Sequence, residues 1–289
     1  MCEIGKDFKS INFYNKEMQW GMEDKLFFID KLPKNQNYCF VDFGCADGTM
    51  ISALSEIFRN TNTNQYKFIG YDISETMIDL ARTNYSGPLY TTVKFTTDWD
   101  DVKSNMVKLS SYKNVLILSS VIHEVYSYAD ENHTVEDFWK KVLCSGFDYI
   151  IIRDMCPSDD INREADYDDV IKIKNKNHPD IKSELIDFCS KWGSIDNYKN
   201  LIHFLLKYRW KVNWNREVNE NYFPITIHAL FEIFREYSSV YSLYYFERFR
   251  VPFLDKCFKE DFNIELKDYT HIKAIFSKKQ LAPADDYND

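Results

Sequence analysis

A carboxylate and a set of closely spaced glycines in the first third of the chain are the residues best suited to chemistry. The string VDFGCADGT, residues 41–49, ends an apolar run and opens a helical pattern. A strand that stops in a glycine turn at a helix N-terminus leaves a crevice at the carboxyl edge of a sheet, and open α/β folds bind their cofactors there. The spacing argues against two of the usual occupants. A dinucleotide fingerprint needs Gly-x-Gly-x-x-Gly, but counting from Gly44 the later glycine positions hold Ala46 and Thr49. A triphosphate loop needs Gly-Lys-Ser/Thr, and none follows.

Three further strings place polar side chains at strand ends. FIGYDISETMIDLAR, residues 68–82, sets Asp72 at the end of a second strand, with Ser74 able to cap the next helix and Met77 and Ala81 on its inner face. VKFTTDWDD, residues 93–101, offers Asp98 and Trp99. NVLILSSVIHEVYSY, residues 114–128, brings Ser119, Ser120, His123 and Glu124 to the end of a fourth strand. His123 titrates near neutrality and is a candidate base, with a packing or capping histidine as the alternative. Glu124 orients His123 or faces solvent. Arg153 and Asp154 end a fifth strand and point toward the crevice, unless they pair with one another.

Asp42, Gly44 and Gly48, followed one helix and one strand later by Asp-Ile-Ser-x-x-Met-x-x-x-Ala, resemble the first two motifs of the class I (Rossmann-like) S-adenosylmethionine-dependent methyltransferases. Ala46 stands where that family's first motif has its middle glycine. The resemblance covers residues 17–156 and 224–278. It implies S-adenosylmethionine as cofactor, held by Asp42, Gly44, Cys45, Ala46, Gly48, Asp72, Ile73, Met77, Asp98, Trp99 and Ser119. In that scheme Asp72 accepts from the ribose hydroxyls, and Asp98 from the exocyclic amine of adenine, with Trp99 beside the base. An acidic turn with a buried tryptophan is the plainer reading of the last two. This cofactor has no phosphates but carries a sulfonium and an ammonium, so a carboxylate beside a glycine turn suits it better than an anion cradle. The fourth strand then delivers its last residues beside the transferable methyl. Methyl transfer rests mainly on placing the nucleophile, and a base such as His123 or Glu124 is needed only if that nucleophile is a hydroxyl.

The elements that must hold these residues alternate. Helical spacing of Met18, Met22, Leu26, Ile29 and Leu32 predicts a helix over 17–32, closed by Pro33. Strand-like runs follow at 38–43, 66–71, 91–96, 115–119 and 149–153, with helices expected at 48–59, 74–84, 101–109 and 131–144. This rhythm predicts a doubly wound, seven-stranded, mostly parallel sheet with helices on both faces and the last strand antiparallel. Residues 157–223 interrupt it, and an excursion of that length is expected to form a cap with its own helices. The rhythm resumes with a helix capped by Thr226, a strand over 240–249, a short helix over 252–262 and a strand over 271–276. The expected organisation is a core of 1–156 and 224–280, an inserted cap of 157–223 and a disordered tail of 281–289.

Within the insertion, Tyr208, Trp210, Val212 and Trp214 alternate with Lys207, Arg209, Lys211 and Asn213, the period of a strand with one aromatic and one polar face. Such a face grips a sugar, a nucleotide or an aromatic metabolite, or else is cap core. Tyr208, Trp210, Trp214 and Arg153 are therefore the expected substrate-binding residues. Composition narrows the partners. A net charge of -9 disfavours broad binding to nucleic acid or anionic membrane, leaving room only for a local basic patch. Hydrophobic residues at 45% with 17% aromatic indicate a globular chain. Seven scattered cysteines without Cys-x-x-Cys read as reduced thiols, and His123-Glu124 lacks the second histidine of a zinc site because Ser127 stands there. No metal, no membrane contact and a cytoplasmic location are expected, with the oligomeric state open. His203, His228 and His271 are expected in the core or on the surface, not as ligands. The function these readings favour is methyl transfer to a small molecule, at a hydroxyl of a metabolite or nucleotide-linked sugar. An RNA or DNA methyltransferase using the basic aromatic segment, or a cofactor-binding scaffold without turnover, are the alternatives.

Overall fold

The computed structural model describes residues 21–59, 65–87, 92–108 and 110–279. Its centre is a seven-stranded sheet in the order β3-β2-β1-β4-β5-β7-β6. The strands are β1 (Tyr38–Phe43), β2 (Tyr66–Tyr71), β3 (Thr92–Thr96), β4 (Lys113–Ser119), β5 (Tyr149–Met155), β6 (Tyr241–Phe249) and β7 (His271–Lys278). β1 to β5 pair in parallel, and β7 runs antiparallel to both β5 and β6. This is the doubly wound, Rossmann-like, mostly parallel seven-stranded sheet that the sequence predicts. The chain runs outward from β1 through β2 to β3 and then returns to β4 on the other side of β1. The β1/β4 boundary is therefore the point where connections leave in opposite directions and a crevice must open.

Each face of the sheet buries its own cluster. On one face Phe40, Phe68, Ile117, Ile151 and Ile275 pack with Met50, Ile51 and Leu54 of α2 (Thr49–Ile57) and Ile78 and Ala81 of α3 (Glu75–Asn84). The N-terminal segment, with α1 (Met22–Lys25), adds Leu26, Phe28 and Leu32 there. On the other face Val41, Leu116, Leu118, Ile152 and Ile272 pack with four helices: α4 (Trp99–Lys108), α5 (Ile122–Tyr128), α6 (Val135–Cys144) and α11 (Ile227–Glu236). The helix starts follow their caps. Ser74, Thr134 and Thr226 accept from the backbone N–H of Met77, Asp137 and Ala229.

Residues 159–217 form a 3-10 turn and then α7 (Tyr167–Lys174), α8 (Pro179–Trp192), α9 (Tyr198–Lys207) and α10 (Trp214–Glu217). Their core, built on Ile173, Phe188, Leu205 and Phe223, also takes in Leu254, Phe258 and Phe262 of α12 (Pro252–Phe262). No described helix is long and apolar enough to cross a membrane.

Several expected elements are redrawn. The helix over 17–32 survives only as Met22–Lys25, with residues before 21 outside the described set, and 26–32 are turns. Leu26, Phe28 and Leu32 are all buried, a spacing no single helical stripe provides, and i→i+3 bonds such as Lys31 N–H to Phe28 O turn the chain instead. The helix at 101–109 begins at Trp99, because Asp98 accepts from Asp100 N–H at 2.8 Å. The one expected at 131–144 begins only after Thr134, and a separate helix, α5, precedes it. The alternation over 207–214 is not a strand. Tyr208 caps α9, and residues 211–217 are a 3-10 turn followed by α10. Among the described residues no strand lies alongside this segment, and without a ladder partner an extended chain leaves its backbone groups unpaired. Cys2, the start of the third strand at 91 and the tail at 281–289 lie outside the described residues. The described cysteines are free thiols.

Gly70 in β2 leaves no room for a side chain, since a Cβ there would lie 2.5 Å from Phe95 and 2.9 Å from the Cys45 sulfur. Gly70→Ala is expected to lower unfolding free energy by about 1–3 kcal/mol through overpacking beneath the β1–α2 loop. Urea denaturation of the two proteins measures it, and an unchanged midpoint would contradict the packing described.

Candidate functional site

The β1–α2 loop is built from left-handed backbone: Gly44 at φ 75°, Ala46 at φ 45° and Gly48 at φ 76°. At Gly44 a Cβ would come within 2.7 Å of Val121, so glycine is required by space as well as by φ. Ala46 accepts the same region with its methyl in place, and its N–H donates to Asp72 Oδ2 at 3.0 Å. Asp72 Oδ1 accepts from Ser74 N–H at 2.9 Å, so this carboxylate joins the loop after β1 to the loop after β2. Each oxygen keeps a lone pair for a further donor. Asp47, buried in the same loop, accepts from the N–H and hydroxyl of Thr49 at 3.1 and 2.7 Å just before α2 begins.

Asp42, the second-last residue of β1, is only 3% exposed. Burial pushes its carboxyl up to about 7, with Coulombic opposition from Lys25 and reinforcement from Asp72 and Asp47. Burial raises Asp72 as well, against the N–H donors of Ser74 and Ala46. Carboxylates held above their ordinary range are short of nearby positive charge, and a cationic ligand would supply it.

Around this loop Cys45 is buried, Met77 is 9% exposed and Ile73, at 54%, presents its side chain beside Asp72. Asp98 is exposed and caps α4. Trp99 sits in the core, its ring 5.5 Å from Phe43 and 5.0 Å from Tyr71, with Nε1 donating to Ser145 Oγ at 3.3 Å. Of the two readings of this turn, the structure displays the buried tryptophan.

Strand parity then divides the remaining residues. Asp42, Ser119, Arg153 and Lys273 continue the face of Phe40, Ile117, Ile151 and Ile275, because register partners share a face. Arg153 donates from Nε and Nη2 to Asp24 Oδ2 at 3.0 and 2.8 Å, and from Nη1 to Ser120 Oγ at 3.0 Å. Lys273 meets the other oxygen of Asp24 at 2.5 Å. Arg153 and Asp154 therefore do not pair with one another; consecutive strand residues leave on opposite faces.

Asp154 faces His123. Its Oδ1 lies 2.8 Å from His123 Nδ1, and its carboxylate also accepts from Ile122 N–H at 2.7 Å and Met155 N–H at 2.8 Å. Burial alone would lower the His123 imidazole, but Asp154 outweighs it and, with Glu124 and Glu220, carries it up to about 9. His123 Nε2 faces Glu220 Oε2 at 3.8 Å, and its ring stands edge-on to Tyr222 at 5.3 Å. Arg216 links the two sides, with Nε at 2.7 Å from Glu220 and Nη2 at 2.7 Å from Glu124. Burial and Glu220 raise the Glu124 carboxyl, opposed by Arg216. Arg216 also acts on Asp72, so the insertion's charges reach the carboxylate crevice.

The aromatic residues expected at the substrate lie within the insertion's own fabric. Tyr208 is 2% exposed and bonds Asp261 at 2.6 Å, Trp210 donates to Leu206 O at 2.9 Å, and Trp214 donates to Asp187 at 3.2 Å. His203 and His271 are buried, and burial pushes His271 down to about 3. His228 lines an open groove of about 600 Å³ with Phe231, Phe246 and Arg248, which shares no residue with the carboxylate crevice. Sequence reasoning missed Asp24, Lys25, Asp47, Arg216 and Glu220. Only the i,i+4 spacing of Arg216 and Glu220 could have flagged any of them. No metal-holding group of His, Cys, Asp or Glu occurs among the described residues.

No family model and no curated protein matches the chain. Among solved structures it is similar to a SAM-dependent methyltransferase of Methanosarcina mazei, at 13% identity and TM-score 0.41, covering 89% of this chain and 98% of that one. It is also similar to the plantazolicin methyltransferase BpumL in complex with SAH, at 12% identity and TM-score 0.46, covering 96% and 92%. A third is the YcgJ protein of Bacillus subtilis, at 10% identity and TM-score 0.47, covering 90% and 99%.

The His123–Asp154 pair has a pH signature. Because the folded imidazole is raised to about 9, its stabilisation is complete below the ordinary histidine value and is lost as pH rises through about 9. Wild-type stability from urea unfolding is expected to decline over that window, and His123→Gln is expected to lack that part of the decline. Parallel pH profiles for the two proteins would refute the ion pair.

Proposed function

We propose that the chain is an S-adenosylmethionine-dependent methyltransferase acting on a small molecule, at a hydroxyl of a metabolite or nucleotide-linked sugar. The observation that carries the cofactor assignment is the convergence of Asp42, Asp47 and Asp72 around a left-handed loop at the sheet's switch point. Three carboxylates beside the loop suit a cation and repel a phosphate. The residues present also fit the group in a second way. Ser119 Oγ is buried at the end of β4 without a hydrogen-bond partner among the described residues, as expected of a donor reserved for a ligand.

When bound, S-adenosylmethionine would supply a methyl group on a sulfonium, a good leaving group for in-line displacement. Asp72 would accept hydroxyl donors through its remaining lone pairs, and Asp42 would balance positive charge. Glu124 is the group suited to take a proton from an acceptor hydroxyl: it is half-buried, raised above its ordinary range, and anchored through Oε1 to Arg216. His123, already protonated at neutral pH and bonded to Asp154, is suited to hold the start of α5 in place and not to act as a base. A nucleic-acid acceptor finds less support. Lys207 is fully buried, Arg209 pairs with Asp261 and Lys211 with Asp180, so the basic half of the insertion is largely spent on its own contacts.

Calorimetry with S-adenosylmethionine and its demethylated product, SAH, tests the cofactor. A cation that favours the Asp42 carboxylate lowers its value from about 7, so binding at neutral pH is expected to release protons and to weaken as pH falls below about 7. Asp42→Asn is expected to bind about tenfold to thirtyfold more weakly and to lose that pH dependence. Absence of binding heat in the wild type would end the assignment. Transfer of labelled methyl from the cofactor into a metabolite extract tests the acceptor class, and label found only in RNA or protein would overturn it.

A further inference from the structure

β6 ends the sheet, and among the described residues its outer edge has no neighbouring strand. It carries no charge from Tyr241 to Phe246, and Leu243 and Tyr244 are about half exposed. An edge of that kind pairs with other chains unless something covers it.

The open groove of about 600 Å³ lies between Phe246, Glu247 and Arg248 of β6 and Ile227, His228 and Phe231 of α11. The register partners of Phe246 and Arg248 are Ala274 and Ile272, on the face that packs α11, so both side chains turn toward the groove. The Phe246 ring stands 5.2 Å from that of Phe231, and both are only partly covered. Arg248 is exposed; its guanidinium lies 5.3 Å from the Tyr269 ring and makes no ion pair among the described residues. Glu247 turns to the opposite face, where it accepts from the Tyr245 hydroxyl, which leaves Asp159 as the acid that shares the groove. On its β6 side the groove therefore suits an aromatic side chain with an acid two residues away.

The chain itself supplies that pattern. Residues 280–289 read QLAPADDYND, with Tyr287 and Asp289 at the two-residue step that separates Phe246 from Arg248. Lys279 N–H donates to Val240 O at 2.7 Å, so these residues leave the sheet at the start of β6. Phe246 lies about 20 Å along the strand from Val240. The chain from Lys279 to Tyr287 reaches up to about 26–29 Å, enough to pass around β6 and arrive at Phe246. Covalent attachment also favours this occupant over a separate molecule, since a short tether gives an effective concentration on the order of millimolar.

We infer that residues 280–289 run along the outer edge of β6, with Tyr287 in the groove between Phe231 and Phe246 and Asp289 at Arg248. The segment then covers the edge with which a second copy of the chain would otherwise pair.

Hydrogen exchange of the full chain, read by mass spectrometry, tests this. The β6 amides that point away from β7 are expected to be protected in the wild type and to exchange about tenfold faster or more in Tyr287→Ala, with β5 and β7 unchanged. Arg248→Glu is expected to speed the same amides by up to about fivefold, and Arg248→Glu combined with Asp289→Arg to restore their protection. Unchanged β6 exchange in Tyr287→Ala overturns the inference, and β6 protection that rises with protein concentration in that variant assigns the edge to a second copy instead. Equal acceleration across β5, β6 and β7 overturns it too, because Tyr287 would then support the sheet as a whole. Failure of the paired charge reversal to restore protection overturns the contact between Asp289 and Arg248.

Discussion

Side chains leave a β-strand alternately to its two faces, and that constraint sorts every charge at the C-terminal edge of this sheet. On one face Asp42, Ser119, Arg153 and Lys273 stand in register beneath the N-terminal segment. On the other, one residue along β5, Asp154 meets His123. A single-residue slip would exchange the two sets and bury each against the wrong partners. The carboxylate crevice and the ion pair that holds the start of α5 are thus two outcomes of one register, kept apart by the thickness of the sheet.

Low solvation gives these groups their strength. In water Asp42 and Lys25 would be ordinary ions, but in the crevice each is pushed toward its neutral form. His123 moves the opposite way because Asp154 lies within hydrogen-bond distance, and against its own burial Asp154 is held ionised by His123 and, less, by two backbone N–H donors. Burial decides the direction for Asp42 and Lys25, whereas for His123 the adjacent carboxylate outweighs it. Arg216 extends the pattern across the insertion, balancing Glu124 and Glu220 while reaching Asp72.

Much of this was legible in the sequence where the signal is local. β1 and β2 fall on the expected residues, and so does the short helix Pro252–Phe262, because apolar runs ended by turns and caps need no distant partner. The loop residues from Asp42 to Gly48 and Asp72 were readable for the same reason. Tyr208 to Trp214 were misread because a period of two over so few residues also fits a helix end followed by turns, and only packing against α8 and α12 decides between them. Trp99 was readable only as one of two alternatives, since its core partners Phe43, Tyr71 and Phe147 come from three separate strands and loops. Asp24 carries no local signal, and Glu220 carries only its i,i+4 spacing from Arg216; each acquires its meaning from residues about a hundred positions away.

The placement of β7 has a consequence for how the molecule is made. It lies between β5 and β6 and hydrogen-bonds to both, yet it is synthesised after them. Until residues near 278 emerge, β5 presents the open edge of Ile150, Ile151 and Ile152, and β6 has no partner in the sheet. The nascent chain must therefore carry an unfinished, apolar sheet margin from the completion of β5 until β7 has been made, and the closing step is the insertion of one strand between two others already waiting.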